Sequence, residues 1–189
     1  MKPRPTYDHP LHELIAKRWS PRAFAPQLLT DEQVLTLFEA ARWAASCNND
    51  QPWRFIWSHK DGSELYNKLF DCFTPGNQRW VHTAPLLVLT LIKTTFSFDG
   101  KPYPWAGHDL GLAIGNLTTQ ASAMDIYVHS MAGFLPEKVQ EHFTLPEDVK
   151  PMTMIAIGYI GEIDQLAEFD QKREWELQTR KPLSELFLN

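Results

Sequence analysis

A layered domain mixing helices and strands, of the α+β (α/β layered) class, is what this 189-residue sequence predicts, on three observations. Residues 85–92, Pro-Leu-Leu-Val-Leu-Thr-Leu-Ile, are almost wholly apolar and bounded by breakers, the pattern of a central strand covered on both faces. Residues 31–45 and 104–124 carry helical patterns, and shorter strand-like runs alternate with them. The length suits one domain, residues 1–189, with a sizeable core.

Residues 9–17 read as a short helix, ended by Arg18-Trp19-Ser20-Pro21-Arg22 because the residue before a proline leaves the helical region. Thr30-Asp31-Glu32-Gln33 is a capping-box start for a helix over 31–45, with Val34, Leu35, Leu37, Phe38 and Ala41 at helical spacing. Residues 53–58 follow as an aromatic-rich strand, then 61–73 as a helix after Asp61-Gly62. Thr74-Pro75-Gly76 breaks that helix, and 77–83 forms a short one. Residues 93–103 read as an irregular loop, and residues 96–105 as either a moving lid or a fixed wall. In the 104–124 helix, Gly107, Gly111 and Gly115 share a face, implying close approach by another backbone, either in this chain or in a partner. A strand at 126–131, a turn at Ala132-Gly133-Phe134, a helix over 136–143 and a strand over 151–161 complete the layered part. Beyond Gly161 the chain is charged and then apolar again around Leu183, Leu186 and Phe187, the pattern of an arm that crosses a surface and docks at its end.

The charge and composition exclude several functions. Hydrophobic residues make up 43% and charged residues 22%, ordinary for a globular protein. A net charge of −5 argues against a nucleic-acid surface. No apolar run approaches the roughly 20 residues of a membrane span, and the Met-Lys-Pro-Arg-Pro start lacks the apolar core of a signal peptide. Two cysteines, Cys47 and Cys72, give no disulfide framework, so a cytoplasmic location is expected.

Residues 44–57 form the stretch around which the rest is arranged. Ser46, Cys47, Asn48, Asn49, Asp50 and Gln51 keep more donors and acceptors than a simple turn needs, and Pro52 fixes the exit. Such a loop suits hydrogen bonding to a planar heteroaromatic, although a plain polar connection has the same composition. Arg18, Ser20 and Arg22 lie close together, and two guanidinium forks with a hydroxyl suit a phosphate. No Gly-x-Gly-x-x-Gly follows a strand, and no metal-ligand cluster completes His9 and His12. Ser46 lacks a nucleophile-elbow context. Cys47 sits at a helix C-terminus, which raises rather than lowers a thiol pKa, so it reads as a packing residue. Arg18, Arg22 and Arg180 around one phosphate, with the 46–51 loop and Asn77 around a polar heterocycle, suit flavin mononucleotide (FMN).

Taken in order, Arg18-Trp19-Ser20-Pro21-Arg22-Ala23-Phe24, residues 44–53, Asn77-Gln78-Arg79-Trp80, Ala84-Pro85, Asp109-Leu110-Gly111, Met131-Ala132-Gly133-Phe134 and Arg180-Lys181-Pro182-Leu183 resemble the nitroreductase family of FMN-dependent oxidoreductases. The resemblance spans residues 9–186. It implies a central mixed, mainly antiparallel sheet flanked by helices, in a homodimer whose C-terminal arms are exchanged. It also implies non-covalent FMN in two interface clefts, with NAD(P)H as co-substrate and nitroaromatics, quinones or related compounds as acceptors, in ping-pong turnover. Arg18, Trp19, Ser20, Arg22 and Arg180 match the family's phosphate and ribityl region. Asn49 matches a ring and ribityl contact, Ser46 and Cys47 the loop from the partner chain, and Asn77 the pyrimidine edge. Ala132 and Gly133 match the turn whose backbone N–H reaches flavin N5, and no dedicated catalytic side chain is implied. Trp80 stands where some members carry a lysine near the ring's N1–O2 edge, so Arg79 or a backbone group would supply positive charge there. Two other readings fit the same residues: a flavin carrier or sensing module without useful turnover, and a specialised ene-reductase or dehalogenase on this fold.

Overall fold

In the computed structural model, which describes residues 5–188, the chain forms a three-layer α/β/α sandwich around one four-stranded sheet. In chain order the elements are α1 (Glu13–Lys17), α2 (Asp31–Arg42), β1 (Trp53–His59), α3 (Glu64–Asp71), α4 (Pro75–Val81), β2 (Leu86–Lys93), α5 (Ala106–Ala123), β3 (Tyr127–Met131), α6 (Pro136–His142), β4 (Val149–Gly158) and α7 (Glu168–Trp175). Short 3-10 turns lie at Cys47–Asn49, Ile163–Gln165 and Leu183–Glu185. The strand order is β1-β2-β4-β3, and every pairing is antiparallel. Among the described residues the sheet therefore lacks the parallel component of the expected mixed sheet.

The apolar run of β2 lies at the centre, as its sequence predicts, and its side chains alternate between two cores. Leu86, Val88 and Ile92 face α2 and α5, while Leu87, Leu89 and Leu91 face the layer of α3, α4 and α6. Each such burial contributes about 1.5–3 kcal/mol.

The ends of the elements show which local rules win. Thr30 and Gln33 close the expected capping box, the Gln33 amide donating to Thr30 Oγ1 at 3.2 Å and the Thr30 amide to Gln33 Oε1 at 3.0 Å. The helix stops at Arg42, short of residue 45, because the chain turns at Trp43 to bring Ala44 into the core. Helix α1 begins at Glu13 rather than His9, since Pro10 disfavours helix at the residue before it, and the His12 ring caps Leu14 instead. Pro75, expected as a breaker, starts α4, because a proline at the first turn lacks only an N–H that would be unsatisfied anyway.

The 93–103 segment makes contacts within itself and with the 46–51 loop. The Phe96 and Tyr103 rings stack at 4.1 Å, and the Ser97 amide donates to Asp50 at 2.9 Å. Helix α5 buries Leu110, Ala113, Leu117 and Ala121 against α2 and the sheet. An added Cβ at Gly111 or Gly115 would meet nothing within 4 Å, so packing inside this chain does not explain those two glycines.

Helix α7 is fastened mainly by charge. Its buried Asp170 accepts two hydrogen bonds from Arg79, both at 3.3 Å. One turn on, its buried Glu174 accepts from the Arg22 amide at 3.2 Å and the Arg22 guanidinium at 3.4 Å. Beyond α7 the arm runs past Arg18 and ends, among the described residues, with Leu183, Leu186, Phe187 and Leu188 exposed.

Candidate functional site

Two groups of the expected site residues form where the elements end. The first lies at the β3 edge of the sheet. Arg18 Nη1 donates to Ser20 Oγ at 3.1 Å, and Arg18 and Arg180 line one cleft of about 460 Å³. Residues 18 and 180, far apart in sequence, thus border one cleft. Arg22 lies apart from that cleft, its guanidinium against Glu174. The Trp19 ring is buried edge-on to Tyr127, at 6.4 Å. His129, which the sequence did not single out, donates from Nδ1 to the Pro21 carbonyl at 2.8 Å and stacks on Trp80 at 4.6 Å. That pair ties the 18–22 segment to β3 and α4.

Asn77 and Gly133, 56 residues apart in sequence, are in direct contact. Asn77 Nδ2 donates to the Gly133 carbonyl at 2.8 Å, and Thr74 Oγ1 donates to the same oxygen at 3.2 Å. A Cβ at Gly133 would lie 2.6 Å from Asn77 Nδ2, so any side chain there would displace Asn77. Among the described residues no acceptor meets the Gly133 N–H. Ala132 beside it is exposed. Trp80 is buried and Arg79 is held by Asp170, so neither stands as a free cation at this turn.

The second group lies at the β1 edge. Asn48, Asn49 and Gln51 all take left-handed backbone conformations, with φ of 54°, 55° and 52°. Asparagine tolerates that region better than most residues, and such strain gathers at functional loops. Ser46 Oγ accepts from the Gln51 amide at 3.0 Å, and Asn49 Oδ1 accepts from Gln51 Nε2 at 3.3 Å. The loop is anchored to α5 by Asp109, whose carboxylate accepts from the Cys47 amide at 2.9 Å and from the Tyr103 hydroxyl, and faces His108 Nδ1 at 2.9 Å. Burial pushes the Asp109 carboxyl up, but these hydrogen bonds outweigh it and hold its pKa below the ordinary value. Burial, reinforced by Asp109, pushes the Tyr103 phenol up. Ala45, Ser46, Cys47, Trp105, His108 and Leu112 border an adjoining cleft of about 310 Å³. Neither His108 nor Tyr103 is marked by any sequence pattern, because their link to residue 47 is made only in space.

Gly133 and the 46–51 loop lie towards the same end of the sheet but on opposite edges, whereas Trp19 packs on Tyr127, towards the other end. The strands β1 and β3 are three strand spacings apart, about 14 Å. The 46–51 loop packs on the α2–α5 face, and Asn77 and Gly133 belong to the face of α3, α4 and α6. One chain therefore does not bring them into one pocket. Among the described residues no group of three or more His, Cys, Asp or Glu is placed to hold a metal ion. No helix there is long and apolar enough to cross a membrane.

Comparison with known proteins agrees with this architecture. The model of the nitroreductase family matches residues 15–76 and 71–159. A crystal structure of an oxidoreductase containing FMN superposes with a TM-score of 0.89 at 32% identity, over 97% of this chain and 93% of that one. A nitroreductase-type protein from Desulfovibrio desulfuricans, solved with FMN, has the same fold, with a TM-score of 0.73 at 21% identity over 97% and 98% of the two chains. A protein of Archaeoglobus fulgidus with the provisional name NADH dehydrogenase/NAD(P)H nitroreductase is 24% identical over 164 residues, 85% of this chain and 91% of its own. The fold and the family match place the chain in the nitroreductase family.

Proposed function

We propose that this protein is an FMN-dependent oxidoreductase that takes electrons from NAD(P)H and passes them to nitroaromatic, quinone or related acceptors, working as a cytoplasmic homodimer with two sites. The observation that carries the reading is the split of the expected cofactor residues between two edges of one sheet, which a second copy of the chain would close. Three further features support it. The FMN-containing relative at 32% identity matches over nearly the whole length. Gly111 and Gly115 leave the outer face of α5 open to a partner backbone, and the apolar end of the arm is exposed among the described residues.

The residues present fit the cofactor. Arg18, Ser20 and Arg180 offer guanidinium and hydroxyl donors to its phosphate, while Arg22 is turned to Glu174. Asn77 and the Gly133 N–H offer donors to the ring, and Ser46, Cys47 and Asn49 would come from the partner. Gly133 lets the backbone approach where a side chain would intrude. When bound, FMN supplies the electron transfer itself, between a nicotinamide and an acceptor that enter one cleft in turn. The chain holds the ring, orients what enters and excludes water.

Steady-state NADH and NADPH oxidation with 1,4-benzoquinone, varied against each other, tests this reading. Parallel double-reciprocal lines are expected. Flavin-loaded protein with no oxidation above the uncatalysed rate would instead favour a flavin carrier.

A further inference from the structure

The cleft beside Cys47 contains a side-chain pair that none of the roles above uses. Its walls are mostly apolar, from Ala45, Trp105 and Leu112, and its polar side chains are Ser46, Asp109 and the exposed His108. Asp109, buried and holding its negative charge, can only accept, so the His108 Nδ1 at 2.9 Å carries the hydrogen. That fixes the ring and leaves Nε2, on the side away from Asp109, to take a proton from solvent, the Asp109 carboxylate balancing the imidazolium so formed, in which both ring nitrogens are donors. Asp109 is itself fixed by the Tyr103 hydroxyl and the Cys47 amide, so its position is set from three segments. The His108 side chain is 67% exposed, which gives it proton exchange with solvent. A flat apolar slot with one fixed donor suits a planar aromatic ring bearing an oxygen.

We propose that His108, set by Asp109, hydrogen-bonds and protonates the oxygen of a planar aromatic acceptor in this cleft, such as a quinone, an aromatic carbonyl or a nitro compound. The inference rests on the FMN reading above, because the cleft shares Ser46 and Cys47 with the loop assigned to the ring. For a quinone the balance is simple. A hydride from the reduced flavin brings two electrons and one hydrogen, and His108 Nε2 supplies the second hydrogen as a proton. The quinone becomes a hydroquinone, the flavin is reoxidised, and solvent returns the proton to the imidazole. The titratable groups facing His108 are Asp109 on its own helix, Cys47 on the 46–51 loop and, through Asp109, Tyr103 on the 93–103 segment. Asp109 is a positioning residue in this scheme and His108 a catalytic one.

The test uses FMN-loaded protein and benzoate, a planar aromatic oxyanion that cannot be reduced. Side-chain ¹⁵N NMR, with the His108 signals assigned by their loss in His108→Gln, should show Nε2 moving as benzoate is added. His108→Gln should keep its FMN, weaken benzoate at least about 10-fold, as loss of a hydrogen bond to a charged group does, and lower kcat with benzoquinone about 100-fold. It should also lose one limb of the pH–rate profile. Asp109→Asn should lower kcat more than it changes KM. Flavin-loaded protein in which His108 does not respond to benzoate, and in which His108→Gln matches the parent at every pH, overturns this assignment alone. Protein that binds no FMN overturns the parent reading and this inference with it.

Discussion

At Gly133 an added methyl would sit 2.6 Å from Asn77 Nδ2, well inside van der Waals contact. Gly133→Ala must therefore push Asn77 off the Gly133 carbonyl, and a loss of about 1–3 kcal/mol is expected. For a chain of this length that lowers Tm by roughly 2–12 °C, with a parallel loss of FMN retention, read by calorimetry and fluorescence titration. The sequence showed that residues 132–134 turn, and the resemblance marked Asn77 and Gly133, but their contact depends on β3 and α4 meeting in space. Asp109 gives a prediction in pH. Its folded pKa is depressed, so its contribution to stability is present above the ordinary carboxylate range near 4 and is lost as pH falls through the folded value. Asp109→Asn should thus lower Tm at pH 7, and the gap to the parent should shrink as the pH is lowered from 5 towards 3. A gap independent of pH would contradict the charge assigned to it. Asp109 was visible in the sequence only as part of Asp109-Leu110-Gly111, and its hydrogen bonds to residues 47, 103 and 108 were not.

Among the elements, those with strong periodicity were legible and their ends were not. The capping box located the start of α2, and the apolar run located β2 at the centre of the sheet. Proline was misread at Pro75, where it starts a helix, and underweighted at Pro10, where it delays one. Helix α7 was read only as charged chain, because a helix docked by carboxylates leaves no apolar stripe to detect. Asp170 and Glu174, one turn apart, hold Arg79 and Arg22 instead. Arg22→Ala should cost about 3 kcal/mol by removing the guanidinium from beside a buried carboxylate, and the double variant Arg22→Ala/Glu174→Gln should recover most of that Tm. Limited proteolysis should cut the 176–188 arm sooner in the single variant than in the parent.

For the whole molecule the layered class was legible from alternation alone, whereas the site was legible only as pieces. Periodicity and composition cannot show that the 46–51 loop and the Asn77–Gly133 contact lie on opposite edges of the sheet, since edge order is set by long-range pairing. The same edge separation is what makes a second copy necessary if one ring is to touch both. The central claim is accordingly an FMN site built from two chains. Its most direct measurement is the visible absorption spectrum of the purified protein, repeated on the supernatant after heat denaturation, with the mass in solution determined by sedimentation. The account predicts flavin bands that leave with the supernatant at about one FMN per chain, from a particle of two chains. A colourless protein that takes up no added FMN, or a monomer that binds it fully, would contradict it.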